Sequence, residues 1–223
     1  MLMQVGNLIR ISKRKVISSS FFWRIRHFLQ PSWVRGYEQK RTPQFYFDYI
    51  SKKNISSVLD FGCASGSLLY NLKLRYPNLI LYGVDINKKA LEACNRKFKH
   101  IEKSTTNYSF YHELNESNLR IFLKNNDLQR FDLVVFDRVL YCLSEIKIIE
   151  LIKKLSSLTD KILIDDFEII KGLSTEGYIH RDWINILGTF GFKNITNIPS
   201  IHSEVDSANA KTLVFQNVFS SPD

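Results

Sequence analysis

Val58-Leu59-Asp60-Phe61-Gly62-Cys63-Ala64-Ser65-Gly66 joins an apolar run to a turn that contains two glycines. The residues that follow, 67–76, have the apolar spacing of a helix, so the segment predicts a buried strand, a tight turn and a helix. Gly62 permits a close backbone approach, and Gly66 lets the helix begin near the strand. The spacing differs from the dinucleotide fingerprint G-x-G-x-x-G, and Asp60 would repel a pyrophosphate. The turn therefore predicts a site for a ligand that carries positive charge.

The same alternation of apolar runs and helical patterns continues along the chain. Further strands are predicted at 79–86, 108–114, 131–136 and 161–164, with helices at 88–100, 119–125 and 146–158. Two last apolar runs, 195–198 and 212–217, follow a helical segment at 182–190. This order predicts an α/β fold: a Rossmann-like, doubly wound, seven-stranded and mostly parallel sheet with helices on both faces. We expect residues 42–223 to form this domain and residues 1–41 to form a helical arm.

The positive charge of the chain is concentrated at its N-terminus. The sequence carries 31 Lys and Arg against 22 Asp and Glu, a formal net charge of +9. Residues 1–47 contain nine basic side chains and one acid, whereas the rest of the chain contains 22 basic and 21 acidic side chains. A nearly neutral body argues against a nucleic-acid-binding cleft, because such clefts are basic around the site itself.

Cysteine usage and hydropathy indicate the compartment. Cys63, Cys94 and Cys142 cannot all pair and show no C-x-x-C spacing, which argues against a disulfide scaffold and a zinc ribbon. No apolar run approaches the length of about 18 residues that a transmembrane helix needs. Residues 1–11 also lack the apolar core of a signal peptide. We therefore expect a cytoplasmic protein.

A second acid follows the second predicted strand. Asp85 ends the run Tyr82-Gly83-Val84-Asp85, and a carboxylate at this place can accept both ribose hydroxyls of a nucleoside. Asp60 alone could equally be a loop or capping residue. Asp60, Gly62, Gly66 and Asp85 together, each in its strand context, indicate a nucleoside site.

These residues carry a resemblance to a known family. VLDFGCASG (58–66) followed by GVDIN (83–87) resembles the first two motifs of the class I S-adenosylmethionine-dependent methyltransferases. Residues 131–143 resemble the fourth-strand segment of that family, and residues 183–192 resemble its late W…L…G-F segment. The similarity spans about residues 40–217. Ala64 stands where the family often has Gly, and Thr159-Asp160-Lys161 stands where it often has a Pro-Gly-Gly turn.

The resemblance implies a cofactor, S-adenosyl-L-methionine, and a role for each matching residue. The turn Gly62, Cys63, Ala64, Ser65 and Gly66 would line the methionine moiety, and Asp60 would approach the ammonium group. Asp85 would bind the ribose, Ile86 would lie against the adenine, and Glu113, with Asn115 behind it, would contact the adenine amine. The floor near the sulfonium would be Phe136, Asp137 and Arg138. Tyr37 and Arg41 would touch the edge of the cofactor.

The implied reaction is methyl transfer to an O or N nucleophile of a small molecule, such as a metabolite, a lipid-linked compound or a glycan. His180 is the predicted proton acceptor, because histidine is the side chain best able to take a proton near neutral pH. Asp137 and Arg138 complete the predicted catalytic set. One alternative is a metal-assisted O-methyltransferase that uses Asp137, Asp165 and Asp166 as hard oxygen ligands. A second is a protein that binds S-adenosylmethionine without catalysis.

The basic arm leaves three interpretations open. Residues 21–29 form a predicted amphipathic helix that has arginines beside Phe and Trp side chains. This helix could rest on an anionic membrane as a peripheral contact, fold over the substrate pocket as a lid, or contact RNA phosphates in an RNA methyltransferase. The neutral body makes nucleic acid the least favoured of the three, and the oligomeric state stays undetermined.

Overall fold

The computed structural model describes residues 42–99, 101, 107–167, 181–202 and 210–219. The predicted arm with its helix at 21–29, the cofactor-edge residues Tyr37 and Arg41, and the predicted base His180 all lie outside these ranges. The described helices are α1 (Gln44–Lys52), α2 (Ser67–Arg75), α3 (Lys88–Phe98), α4 (Glu116–Asn125), α5 (Glu145–Leu155) and α6 (Trp183–Gly188). The strands are β1 (Ser57–Phe61), β2 (Ile80–Val84), β3 (Tyr108–Tyr111), β4 (Phe131–Asp137), β5 (Thr159–Phe167), β6 (Phe192–Pro199) and β7 (Ala210–Asn217).

The seven strands form one sheet in the order β3-β2-β1-β4-β5-β7-β6. Strands β1 to β5 pair in parallel, and β7 runs antiparallel to both β5 and β6. The chain moves outward from β1 to β3 and then returns to β4 on the other side of β1. Ligands of such sheets bind at the carboxyl ends of the strands where this reversal occurs. The predicted α/β fold is confirmed.

Two hydrophobic layers cover the sheet. One face packs against α1, α2 and α3 through a cluster that includes Tyr46, Leu69 and Cys94. The other face packs against α4, α5 and α6 through a cluster that includes Phe122, Ile152 and Trp183. Because successive strand residues point to opposite faces, both layers draw on every central strand. This explains why the central strands are almost continuously apolar.

The main difference from the predicted elements concerns β5. The apolar run predicts a strand that ends at residue 164, with Asp165 and Asp166 as a polar strand end. In the structure the strand continues to Phe167, and both carboxylates are fully buried inside it. Hydrogen bonds from neighbouring strands and turns satisfy these acids, so they do not end the strand.

Within the described ranges, helices are short. The longest, α3 and α5, have 11 residues each. None of the described helices has the length and apolar character needed to cross a membrane.

Candidate active site

The turn between β1 and α2 is closely packed at both glycines. Gly62 has φ +86°, and a Cβ added there would lie 2.7 Å from Cγ2 of Val139. Gly66 has φ +71°, and its Cβ would overlap Sγ of Cys94 on α3. Both positions therefore require glycine for backbone conformation and for space. Ala64 has φ +48°, which accounts for the glycine that related sequences often carry there.

Four carboxylates lie on one face at the carboxyl ends of four neighbouring strands. They are Asp85 after β2, Asp60 in β1, Asp137 in β4 and Asp165 in β5. Each lies in register with residues that face α1, α2 and α3, and Asp137 pairs directly with Asp165 across the sheet. The sequence predicted the first three as site residues, and the sheet order brings all four together.

Electrostatics show that these acids share one environment. Burial raises the pKa of Asp60 well above its usual range, and the negative charges of Asp137 and Asp85 raise it further. Burial also raises the pKa of Tyr46 well above its usual value, with contributions from Asp137, Asp165 and Asp60. Mutual repulsion in a buried site is relieved when a cation enters it. This is the charge preference that the sequence predicted from Asp60.

The Asp85 carboxylate is anchored to the glycine turn. One oxygen accepts a hydrogen bond from Ala64 N–H at 2.8 Å, and the other accepts one from Asn87 N–H at 2.7 Å. These two bonds fix the Asp85 carboxylate beside the turn at the end of β2. Ile86, the next residue, is partly exposed at 43%, as a side chain that covers a flat ring requires.

The turn also contains a buried hydroxyl without a partner. Ser65 is 1% exposed, and its Oγ makes no hydrogen bond with the described residues. Buried hydroxyls are normally hydrogen-bonded, so this one is available to a polar group of a ligand that enters the turn. Cys63, on the other side of the turn, is buried against β2, and burial raises the pKa of its thiol. The Cys63 side chain thus packs, and its backbone belongs to the turn.

The end of β3 presents two side chains of different character. The Glu113 side chain is 75% exposed, and its nearest ionic partner is His112 Nδ1 at 3.7 Å. His112 Nε2 is buried and has no hydrogen-bond partner among the described residues. Sequence reasoning selected Glu113 for the adenine amine and did not consider His112. The structure places both at the carboxyl end of β3, with His112 the more enclosed.

The end of β4 divides the three predicted floor residues. Phe136 points into the opposite layer, where its ring lies 5.6 Å from that of Phe61, so only its backbone borders the site. Asp137 faces the site. Arg138 has φ +55°, and its guanidinium donates to Asp165 at 2.8 Å and to Ser200 Oγ at 2.8 Å. Arg138 is therefore a partner of Asp165 as well as a neighbour of the site.

The predicted metal triad does not assemble. Asp165 and Asp166 are consecutive residues of a strand, so their side chains point to opposite faces. Asp166 accepts hydrogen bonds from the N–H groups of Leu140, Tyr141 and Phe167. It supports the backbone after β4 and is not near Asp137. The described residues do place ligand atoms of Asp137, Asp165 and His202 within 4.8 Å of one another. Arg138, however, already pairs with Asp165, and His202 already contacts Asp137.

His202 is the site residue that sequence reasoning missed. It follows β6, and its Nε2 lies 2.7 and 2.9 Å from the two oxygens of Asp137. The residues are 65 positions apart, and neither has a motif around it that could have joined them. Only the pairing of β6 with β7, and of β7 with β5, brings this hairpin to the end of β4.

The residues present fit S-adenosylmethionine. The ligand carries a sulfonium and an ammonium group, and the site offers several carboxylates on one face. The glycine turn allows close approach of the methionine part, and the unpaired Ser65 hydroxyl lies in that turn. Asp85 places a carboxylate, the group that accepts hydrogen bonds from ribose hydroxyls, at the end of β2.

Comparisons with known proteins agree with this geometry. A family model described as a methyltransferase domain matches residues 52–210. A comparison with curated protein sequences finds no match. Two crystal structures of magnesium protoporphyrin IX methyltransferase from Synechocystis PCC 6803, with bound SAH and with bound SAM, match with TM-scores of 0.61 and 0.60. Both are 18% identical; the alignments cover 92% and 93% of this chain and 97% and 96% of theirs.

A third structure is more distant. A family 2 O-methyltransferase from Planctomyces limnophilus DSM 3776, in complex with apigenin, matches with a TM-score of 0.52 and 14% identity. The match covers 73% of this chain and 50% of that chain. At these identities the likenesses show a shared fold.

Proposed function

Because this chain belongs to the S-adenosylmethionine-dependent methyltransferases, we propose that its methyl acceptor is a small molecule. The family assignment rests on the methyltransferase-domain match over residues 52–210, and it makes the chain an enzyme that uses S-adenosylmethionine. The acceptor is the open question. The proposal covers O and N nucleophiles of metabolites, lipid-linked compounds and glycans.

The observation that carries the proposal is the charge of the site. Four carboxylates converge there, and the basic side chain that joins them from β4, Arg138, is paired with Asp165. An RNA substrate would bring phosphates to this face, where acids would repel them. Two of the solved structures concern a protein named for a porphyrin substrate and a protein bound to apigenin, both small molecules. Both share the fold of this chain, so the fold is compatible with a small-molecule acceptor.

The residues of this chain would act by orientation and charge. S-adenosylmethionine supplies a methyl group made electrophilic by the sulfonium. Asp60 attracts the cationic end, the 62–66 turn holds the methionine part, and Asp85 holds the ribose. Asp137 lies where β4 meets the acceptor side. Positioning of the two reactants is then the main contribution of the protein to the rate.

The test uses S-adenosylmethionine with a labelled methyl group and the full chain. We expect label in the small-molecule fraction of a cell extract and none in total RNA offered under the same conditions. Asp85→Ala should abolish both cofactor binding, measured by calorimetry, and labelling. Label in RNA alone would overturn the small-molecule proposal while leaving the cofactor assignment intact.

We also propose that the enzyme acts in the cytoplasm. All three cysteines are free and buried, which agrees with a reducing compartment. Fractionation of cells with an antibody against the chain tests this proposal, and recovery with membranes would instead support the predicted peripheral contact of residues 21–29.

A further inference from the structure

A histidine and an aspartate meet at the end of β4 with defined geometry. His202 Nε2 contacts both oxygens of Asp137, at 2.7 and 2.9 Å. The side chains are 13% and 22% exposed, so the pair is shielded from solvent but still reachable. Tyr46 OH donates a third hydrogen bond to Asp137 Oδ2 at 3.1 Å from helix α1. The aspartate is thus held from both sides of the site.

The backbone that carries His202 is fixed by hydrogen bonds to the sheet. Ile201 N–H donates to Asp165 Oδ2 and to Thr212 Oγ1, each at 3.0 Å. Ser200 Oγ donates to the same carboxylate, and His202 N–H donates to Ser200 Oγ at 3.1 Å. Asp165 is itself buried and paired with Arg138. A loop residue held in this way has a defined orientation, as a group that handles a proton requires.

The contact with Asp137 selects the tautomer of the neutral ring. A carboxylate accepts hydrogen bonds, so Nε2 carries the proton and donates it to Asp137. Nδ1 is then the bare nitrogen, and it has no partner among the described residues. A histidine whose other nitrogen is bound to a carboxylate is oriented to accept a proton, and the carboxylate stabilises the imidazolium that forms.

We infer that His202 is the general base of this enzyme and that its acceptor carries a hydroxyl group; this deepens the proposed function and rests on it. A carboxylate acceptor is already ionised at neutral pH and has no proton to lose. An amine can attack through its lone pair and release a proton later. A hydroxyl group, whether phenolic or aliphatic, keeps its proton at neutral pH and gains most from a nearby base.

The step balances without any further reactant. Nδ1 of His202 takes the hydroxyl proton, and the oxygen lone pair forms a bond to the methyl carbon. The bond from that carbon to sulfur breaks, and its electron pair stays on sulfur, which becomes a neutral thioether. The imidazolium then returns its proton to solvent. Asp137 acts through His202 and is a positioning residue in this scheme.

Several charged and polar groups surround His202. Asp137 faces the ring from β4, and Asp165 lies behind Ser200 on β5. Arg138 pairs with Asp165, and Tyr46 bonds to Asp137 from α1. Variants that test His202 must therefore retain these groups.

The experiment compares the wild-type chain, His202→Gln and Asn197→Ala, a matched change of an exposed polar side chain on β6. Acceptors are ring systems offered as the phenol, the benzylic alcohol, the carboxylic acid and the aniline, together with nitrophenols that are already ionised. We expect transfer to the phenol or the alcohol, a rate about 100-fold lower in His202→Gln, and an unchanged rate in Asn197→Ala. With ionised nitrophenols, the wild-type and His202→Gln rates should agree within about threefold, because no proton has to be removed.

A readout without turnover accompanies these rates. Nitrogen NMR of histidine-labelled protein bound to S-adenosylhomocysteine should show Nε2 protonated and Nδ1 bare in the neutral ring of His202. The opposite tautomer overturns the inference. So does equal loss of rate on phenols and nitrophenols, or transfer confined to acids or anilines. If S-adenosylhomocysteine binds but no acceptor in the panel is methylated, the inference about His202 fails, whereas the proposed small-molecule function is overturned only by label confined to RNA. His202→Gln must retain wild-type affinity for S-adenosylhomocysteine; a large loss would assign the residue to cofactor binding instead.

Discussion

Replacing Ser65 by alanine should have opposite effects on stability and on cofactor binding. The Ser65 hydroxyl is buried and has no partner among the described residues, so the folded protein bears the cost of removing it from water. An unsatisfied buried hydroxyl costs about 1–3 kcal/mol. Its removal leaves a small void, which offsets part of the gain. We expect Ser65→Ala to raise the free energy of unfolding of the cofactor-free protein by about 1 kcal/mol.

The same change should weaken cofactor binding. If the hydroxyl meets a polar group of S-adenosylhomocysteine, its loss removes one hydrogen bond worth about 1 kcal/mol, or roughly a fivefold increase in Kd. Ser67→Ala is the matched control, because Ser67 Oγ accepts a hydrogen bond from Lys97 Nζ at 3.1 Å. Its removal should lower the free energy of unfolding by about 0.5–1 kcal/mol. The two serines lie two residues apart and differ in whether the hydroxyl is paired.

Urea denaturation and calorimetry decide the matter. Urea denaturation of the cofactor-free chain gives the free energy of unfolding of each variant. Calorimetric titration with S-adenosylhomocysteine gives the Kd of each variant. The reasoning is refuted if Ser65→Ala destabilises the free protein as much as Ser67→Ala does. It is also refuted if Ser65→Ala leaves the Kd unchanged, since the hydroxyl would then have no partner in either state.

Three further predictions follow from the site and its supports. Gly66→Ala should lower the free energy of unfolding by about 2–5 kcal/mol, of which about 1–2 comes from the positive φ and about 1–3 from overlap with Cys94. Gly188→Ala is the control, because the space at its Cβ is open, and it should change the free energy of unfolding by less than about 1 kcal/mol. Equal effects of the two changes in urea titrations would contradict the packing argument. Burial raises the pKa of Asp166 to about 7, so the folded state holds this proton more tightly than the unfolded chain does. Stability should therefore fall by about 4 kcal/mol as pH rises from about 4 to about 7 and stay level above that. Asp166→Asn should remove this dependence of stability on pH. If the difference in free energy of unfolding between the wild type and Asp166→Asn does not change with pH, the prediction is wrong. Asp60→Asn should raise the calorimetric Kd for S-adenosylmethionine roughly 10-fold or more, because a charge-assisted contact is worth about 1.5–3 kcal/mol; an unchanged Kd would show that Asp60 does not face the cationic end.

The fold could be predicted from sequence because its signals are local. The apolar runs around Leu59, Leu81 and Val134 are strands buried on both faces, and each is followed by a helical pattern. The turn at 62–66 requires glycine at positions set by backbone geometry alone. The acids that end β1 and β2 belong to motifs of fixed spacing. Such features can be predicted from the sequence because the residues that determine each one lie within a few positions of one another.

The remaining part of the site depends on contacts between distant segments. Asp166 belongs to the same Asp-Asp pair as Asp165, yet alternation along β5 sends it to the opposite face, away from the predicted metal triad. Phe136 is likewise turned into the other layer. His112 has a buried ring nitrogen without a hydrogen-bond partner among the described residues, and no sequence pattern marks it. In each case the position of the residue in the sheet sets the face on which its side chain lies and how deeply the side chain is buried.

The sequence by itself therefore determined the α/β fold, the cofactor turn and the carboxylates at the carboxyl ends of β1 and β2, because each is encoded by short-range spacing. Only the tertiary structure decided which groups meet at the end of β4. The antiparallel return of β7 places the β6 hairpin beside β4, and His202 meets Asp137 across 65 residues. That contact is set by strand order and register, which no local pattern records.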